Sequence, residues 1–151
     1  MKRLILCLLL AACAKPAPPP AGVSFRDTTA PIGSTTRGDA YAMAGNWRVQ
    51  AAYPGGIFGA GDGVVLDFRA DGSGVLNGQP LVVTRPNRWQ ALGREFWVLW
   101  VDDDFRTAVI GTPDGSFGWI MDRPGAASPD RTRAARDVLD FSGYDLGRLQ
   151  E

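Results

Sequence analysis

Histidine is absent from all 151 residues of the chain. It is the usual general base, the commonest metal ligand and the usual activator of a serine or cysteine nucleophile, so most hydrolytic and metal-dependent chemistry is excluded. Cysteine is almost as scarce, because Cys7 and Cys13 both lie near the start of the chain. The remainder therefore holds no disulfide, no cysteine-based metal site and no thiol nucleophile. Carboxylates alone could still perform glycosidase-type chemistry.

An excess of charge of one sign is also missing, since 16 Lys and Arg balance 16 Asp and Glu. The chain therefore gives no reason to expect a nucleic acid or another polyanion as partner. The three acidic residues 102–104 are typical of a solvated hairpin turn, so no metal site is predicted. We expect no cofactor, no metal, no catalytic residue and no enzymatic activity.

The first thirteen residues follow the order of a secretory signal. Met1-Lys2-Arg3 is basic, and the apolar run that follows is shorter than the roughly 20 residues of a spanning helix. Its end, Leu10-Ala11-Ala12-Cys13, resembles the lipobox of bacterial lipoproteins. The resemblance implies a signal peptide over residues 1–12 and diacylation of Cys13; the alternative is a plain signal peptide with an incidental cysteine. Because Ala14, not Asp, follows, the sorting rule for such lipoproteins implies the outer membrane, facing the periplasm.

The next residues predict a spacer. Residues 15–21 are rich in proline, which favours extended polyproline II, and residues up to about Ala42 stay low in apolar content. We therefore divide the chain into a lipidated N-terminus with a flexible tether over 13–42 and one folded domain over 43–151. A domain of that length is large enough for one hydrophobic core.

Turn residues at short intervals separate short runs rich in Val, Leu, Phe and Trp, a pattern typical of an antiparallel sheet. The runs predict eight strands, which can close into a barrel without exposed edges. They lie near Asn46–Tyr53, Val64–Arg69, Gly74–Asn77, Leu81–Thr84, Arg88–Leu92, Phe96–Val101, Arg106–Gly111 and Phe117–Asp122.

One helix follows the strands. Ser128 suits the N-cap, Pro129 the first helical position and Gly143 the stop, so the helix is predicted over about Pro129–Ser142. Its apolar stripe includes Ala135 and Leu139, which predicts packing against the outside of the barrel.

Three segments in this order resemble the lipocalin family, and most of all its bacterial outer-membrane lipoproteins. Residues 44–49 resemble the Gly-x-Trp opening of the first strand, residues 96–111 the acidic-aromatic hairpin, and residues 117–123 the last strand ending in Arg. The helix and the tail 143–146 are similar to the same branch. The resemblance implies an all-β, eight-stranded up-and-down barrel with one C-terminal helix outside. The stretch between the first two segments is short, so the middle strands are expected to be short and the cavity small or open.

The resemblance also assigns structural and ligand-binding residues. Gly45, Trp47 and Arg123 form the family's structural signature, with the Arg lying over the ring of the Trp at the closed end. We predict an apolar ligand site formed by inward-facing side chains. In the first and last strands these are found by counting alternate residues from Trp47 and Arg123, and in the hairpin by its similarity to the family. These are Val49, Ala51, Tyr53, Phe96, Val98, Trp100, Val109, Gly111, Phe117, Trp119 and Met121. The alternative is that the same aromatics simply fill a shortened barrel.

The sequence is consistent with two functions, which belong to different classes of protein. The first is a membrane-anchored lipoprotein that binds a fatty acid or lysophospholipid for lipid storage, transport or membrane maintenance. The second is a periplasmic β-barrel protease inhibitor, which would act through an arm formed by residues 21–42, or a structural envelope lipoprotein.

Overall fold

Eight antiparallel strands close into a barrel in the computed structural model, which describes residues 22–151. Each strand pairs with its neighbours in sequence, and β1 pairs with β8 to close the sheet. The strands are β1 Gly45–Ala52, β2 Gly63–Phe68, β3 Ser73–Leu76, β4 Gln79–Arg85, β5 Arg88–Ala91, β6 Arg94–Val101, β7 Thr107–Gly111 and β8 Gly118–Asp122. The predicted fold class is confirmed, and the middle strands β3 and β5 are short.

The two ends of the barrel are built differently. One end, which we call the mouth, carries the loop at 54–62, the loop at 112–117 and two tight turns, Asn77-Gly78 and Leu92-Gly93. All four residues of these turns have positive φ, as two-residue hairpin turns that match the twist of the strands require. The other end, the base, is closed by a short 3₁₀ turn, Ala40–Met43.

Trp47 and Arg123 meet at the base, as the resemblance implied. The indole is 2% exposed, and its Nε1–H donates to the carbonyl of Met43 at 2.8 Å. The guanidinium carbon of Arg123 lies 3.9 Å from the ring centroid. Its Nη1 also donates to the carbonyl of Ala44 at 2.8 Å. A Cβ at Gly45 would stand 2.9 Å from that Nη1, so glycine leaves room for the arginine.

The helix α1 spans Pro129–Phe141 and packs on the outer faces of β6, β7 and β8. Ala135 and Leu139 are its buried residues. Ser142 is its C-cap, Gly143 follows with a φ of 84°, and the amide of Tyr144 donates to the carbonyl of Leu139. This is the Schellman arrangement that glycine favours after a helix. No helix among residues 22–151 has the length and apolar character needed to cross a membrane.

The segment before β1 packs against the barrel, so the predicted tether over 13–42 is wrong for its described part. Phe25 and Arg26 are buried, and the amide of Thr35 donates to the carbonyl of Val98 at 2.7 Å. The side chain of Asn87 donates to the carbonyl of Thr35 at 2.8 Å. Composition misled the prediction because loop backbone, more than apolar side chains, makes these contacts. The predicted signal peptide, Cys13 and the proline-rich stretch lie outside the described residues.

Candidate ligand-binding site

Strand register decides which side chains face the barrel interior, because directly paired residues share a face of the sheet. Starting from Trp47, the inward face passes to Val64 and then around the barrel to Trp119 and Met121. Apolar side chains occupy most of this face, and the polar residues Gln79 and Arg94 lie on it only at the mouth. Apart from Trp47, the apolar inward residues are Val49, Ala52, Val64, Leu66, Phe68, Leu76, Leu81, Val83, Trp89, Ala91, Phe96, Val98, Val101, Ala108, Ile110, Trp119 and Met121.

Aromatic rings run through this interior from mouth to base. We call six of them the aromatic cluster: Phe58, Phe68, Trp89, Phe96, Phe117 and Trp119. Trp119 lies 5.3 Å from both Phe58 and Phe117 and 5.5 Å from Phe96, between ring centroids. Trp89 continues the series, 6.4 Å from Phe96 and 6.0 Å from Phe68. Side chains therefore fill the barrel, as the alternative prediction held for a shortened lipocalin.

Phe58 lies within the mouth-side loop at 54–62, whereas Phe117 directly precedes β8 and the other four rings of the cluster lie in strands. Its ring meets Trp119 edge to face, and its side chain is 9% exposed. The loop at 54–62, here named the mouth loop, approaches the ring of Phe117 closely at Gly56. A Cβ there would stand 1.7 Å from the ring of Phe117, so any side chain at Gly56 must displace either the loop or that ring.

The inward orientation predicted for five ligand-binding residues is wrong. Ala52, not Ala51, pairs with inward Trp119, because β1 shifts register between Val49 and Ala51. The pairing register of β6 with β7 shifts between Val98 and Trp100, so Trp100 and its partner Val109 face outward. A bulge adds one residue to a strand and reverses the faces beyond it, which simple alternation misses. The misplaced residues are Ala51, Tyr53, Trp100, Val109 and Gly111; the predicted residues that do face inward are Val49, Phe96, Val98, Phe117, Trp119 and Met121.

The tail after α1 covers two of the misplaced residues from outside. A Cβ at Gly111 would lie 2.7 Å from the hydroxyl of Tyr144, so this glycine admits the tyrosine. The Tyr144 hydroxyl accepts from the amide of Thr112 at 2.9 Å and faces the carbonyls of Thr112 and Phe117, both at 3.0 Å. The ring of Tyr53 packs 5.2 Å from that of Tyr144. Gly111 and Tyr53 therefore belong to an outer layer of the core, between the barrel and the tail.

A second outer cluster lies under the start of α1. The hydroxyl of Thr107 donates to the carboxylate of Asp122 and accepts from Nε of Arg131 at 2.8 Å. Burial raises the pKa of Asp122, a shift that the Thr107 hydrogen bond and Arg131 only partly oppose. Burial also disfavours the charge of Asp102, but hydrogen bonds from the amides of Thr107 and Arg106 outweigh it and hold the pKa of Asp102 below its usual value. These acids hold the hairpin and helix in place.

Two polar groups near the apolar interior were missed by sequence analysis. The indole N–H of Trp89 is buried in the barrel without a partner among the described residues. Arg94 pairs with inward Ala91 across the turn Leu92-Gly93, so its side chain leaves the strand on the inner side at the mouth. Its Nη1 is shielded from solvent and has no partner in residues 22–151. The two-residue turn was the signal that fixes this register.

Comparisons with known proteins agree with this architecture. The lipocalin-like domain family matches residues 69–151, more than half of the chain. Temperature-induced lipocalin-1 of Arabidopsis thaliana is 30% identical over 57 residues, which cover 38% of this chain and 31% of the plant protein. The match thus spans about a third of the length of that curated relative.

Solved structures support the fold alone, since their sequence identities are low. Insecticyanin from the tobacco hornworm Manduca sexta superposes with a TM-score of 0.56 at 17% identity, covering 85% of this chain and 84% of its own. Lobster apocrustacyanin A1 gives a TM-score of 0.53 at 14% identity, covering 73% and 76%. With the family match over residues 69–151, the chain belongs to the lipocalin-like domain family.

Proposed function

We propose that this protein is an envelope lipoprotein that binds a single-chain lipid, a fatty acid or lysophospholipid, whose apolar end enters the barrel by displacing Phe58. The observation that carries the proposal is Phe58 itself. A loop places an aromatic side chain at the mouth against Trp119, where an apolar ligand would otherwise lie. The family and the apolar residues that line most of the barrel interior support the same class of ligand.

The size of the displaced group sets the expected strength of binding. A phenylalanine side chain has about the volume of six methylenes, and each buried methylene contributes about 0.8 kcal/mol. Expelling the phenyl ring costs about 1.5–3 kcal/mol, so the exchange alone favours the lipid only modestly. Binding by the wild-type protein is therefore limited by opening of the mouth loop, and loosening that loop is expected to raise the affinity.

Anchoring at Cys13 is part of the proposal. The lipobox-like end of residues 1–13 supports it, and we place the protein at the outer membrane, facing the periplasm. We also propose binding rather than catalysis, supported by the absence of histidine from the whole sequence and of cysteine after Cys13. The inhibitor alternative has less support, because the described part of the arm it requires packs on the barrel through Phe25 and Arg26.

Two glycines of the mouth loop provide a matched test. Gly56→Ala places a methyl group on the ring of Phe117, whereas a Cβ at Gly59 meets only the Asp62 carboxylate at 3.8 Å, an ordinary contact. We expect Gly56→Ala to bind oleate roughly three- to tenfold more tightly than wild type, equivalent to about 0.7–1.4 kcal/mol of opening free energy. Gly59→Ala should match wild type.

Tryptophan fluorescence of purified full-length protein, kept in an amphipathic polymer instead of detergent, reports the binding, since Trp119 contacts Phe58. Equal affinities for the two glycine variants would contradict displacement of the mouth loop. Absence of saturable binding of both oleate and lysophospholipid, in all three proteins, would contradict lipid binding altogether.

A further inference from the structure

Beside the mouth loop lies a cleft of about 250 Å³, several times the roughly 30 Å³ that one water takes up in the liquid. Five separate parts of the chain form it: the start of the described segment, the mouth loop, the first residue of β6, the loop at 112–117 and the tail after α1. Its lining is Gly22, Val23, Phe25, Pro54, Gly55, Arg94, Ser116 and Arg148. Two arginines thus line one cleft at the edge of a mostly apolar barrel.

Both arginines of this cleft are held in place. The guanidinium of Arg148 stacks 4.3 Å from the ring centroid of Phe25 and donates to the carbonyl of Ser24 at 3.4 Å. Nη1 of Arg94 has no hydrogen-bond partner among the described residues, although Arg94 is near enough to Asp114 to help lower the pKa of that carboxyl. Neither takes part in an ion pair within residues 22–151. The nearby carboxylate of Asp114 accepts instead from the amide of Ser116 at 3.0 Å. Two arginines that line one cleft without an ion pair favour an anion there, because a guanidinium can form charge-assisted hydrogen bonds with it.

We propose that this cleft binds the anionic headgroup, a carboxylate or phosphate, of the lipid whose chain enters the barrel; the inference rests on the proposed function. Arg94 supplies the main contact because it leaves β6 on the inner side, between barrel and cleft. Arg148 adds a second charge from the tail. Guanidinium groups match both carboxylate and phosphate in geometry, so the cleft selects for charge and not for one headgroup.

The test compares oleate with oleyl alcohol, which differ in the charge of the headgroup. In the full-length protein in amphipathic polymer, we expect wild type to prefer oleate by about tenfold or more, as charge-assisted hydrogen bonds imply. Arg94→Gln should abolish the preference by weakening oleate binding alone, and Arg148→Gln should reduce it in part. Arg69→Gln, an exposed arginine just after β2 at the base, is the matched control and should keep it.

A preference for oleate that survives Arg94→Gln would overturn the assignment of the cleft. Inorganic phosphate, titrated by calorimetry, separates the two sources of the anion. Arg94-dependent phosphate binding that competes with oleate would support one shared headgroup site, whereas phosphate binding without lipid binding would support the anion cleft and refute the proposed lipid function. If oleate binds without preference over the alcohol and phosphate does not bind, the barrel takes lipids but the cleft takes no headgroup.

Discussion

Tyr53 and Tyr144 offer a controlled measurement of one buried hydrogen-bonded hydroxyl. Their rings pack 5.2 Å apart, and the exposed fractions of the two residues are 0% and 2%. The Tyr144 hydroxyl accepts from the amide of Thr112 and donates to a carbonyl, whereas the Tyr53 hydroxyl has no partner among the described residues. Phenylalanine at either position keeps the ring and removes only the oxygen.

We expect Tyr144→Phe to lower the free energy of unfolding by about 1–2 kcal/mol, because the buried amide of Thr112 loses the shorter of its two hydrogen bonds and keeps only the carbonyl of Phe117, at 3.2 Å. Tyr53→Phe should leave stability unchanged or raise it by up to about 1 kcal/mol, since it removes a polar group that is desolvated without compensation. At about 3–5 °C per kcal/mol for a domain of this size, the two melting temperatures should differ by roughly 3 °C or more.

Urea denaturation followed by tryptophan fluorescence measures both variants under one set of conditions. The denaturant slope should stay that of wild type, which shows that the same surface is exposed on unfolding. Equal losses in the two variants would show that ring packing, not the Thr112 hydrogen bond, determines the effect. A larger loss for Tyr53→Phe would refute the contrast between the two hydroxyls.

Three further predictions concern the base, the helix and the N-terminus. Trp47→Ala should cost about 3–5 kcal/mol by denaturation, as for other buried aromatics, and a loss below about 1 kcal/mol would mean that Trp47 does not close the barrel. Burial raises the pKa of Asp122, so the contribution of this carboxyl to stability is lost as pH rises from the usual Asp range through the raised pKa. Stability of Asp122→Asn relative to wild type should therefore increase as pH rises above about 4, and a flat difference would contradict the raised pKa. Cys13→Ser should abolish metabolic labelling with fatty acid, and persistent labelling of the variant would exclude Cys13 as the acylated residue.

The strand pattern of this protein could be predicted because its turn residues are explicit. Asn77-Gly78 appears in the sequence as a two-residue turn and forms one, and the predicted helix differs from α1 by one residue at its end. Apolar alternation also placed Val49 and Trp119 on the inner face. Local signals thus specify elements and their limits well when Gly, Pro and Asn mark the boundaries.

The orientation of side chains beyond the bulges could not be predicted in the same way. The register shifts in β1 and β6 depend on pairing with neighbouring strands, which a single sequence does not display. Arg94 was missed for a related reason, since its position at the mouth depends on the turn Leu92-Gly93, where a leucine adopts a φ of 52°. The apolar residues that strands contribute to the candidate site could therefore be predicted in part. Phe58 in the mouth loop and the charged Arg94 at the mouth could not.

The described chain begins at Gly22, which lines the cleft at the mouth. Nine residue steps separate it from Cys13, a distance that even a fully extended chain cannot stretch beyond about 30–32 Å. With Cys13 acylated as proposed, Gly22 at the cleft stays within that radius of the bilayer surface, less than the roughly 40–45 Å thickness of a whole membrane. A lipid leaving the nearer leaflet would then reach this cleft over a path shorter than a crossing of the membrane, without release of the protein from its anchor.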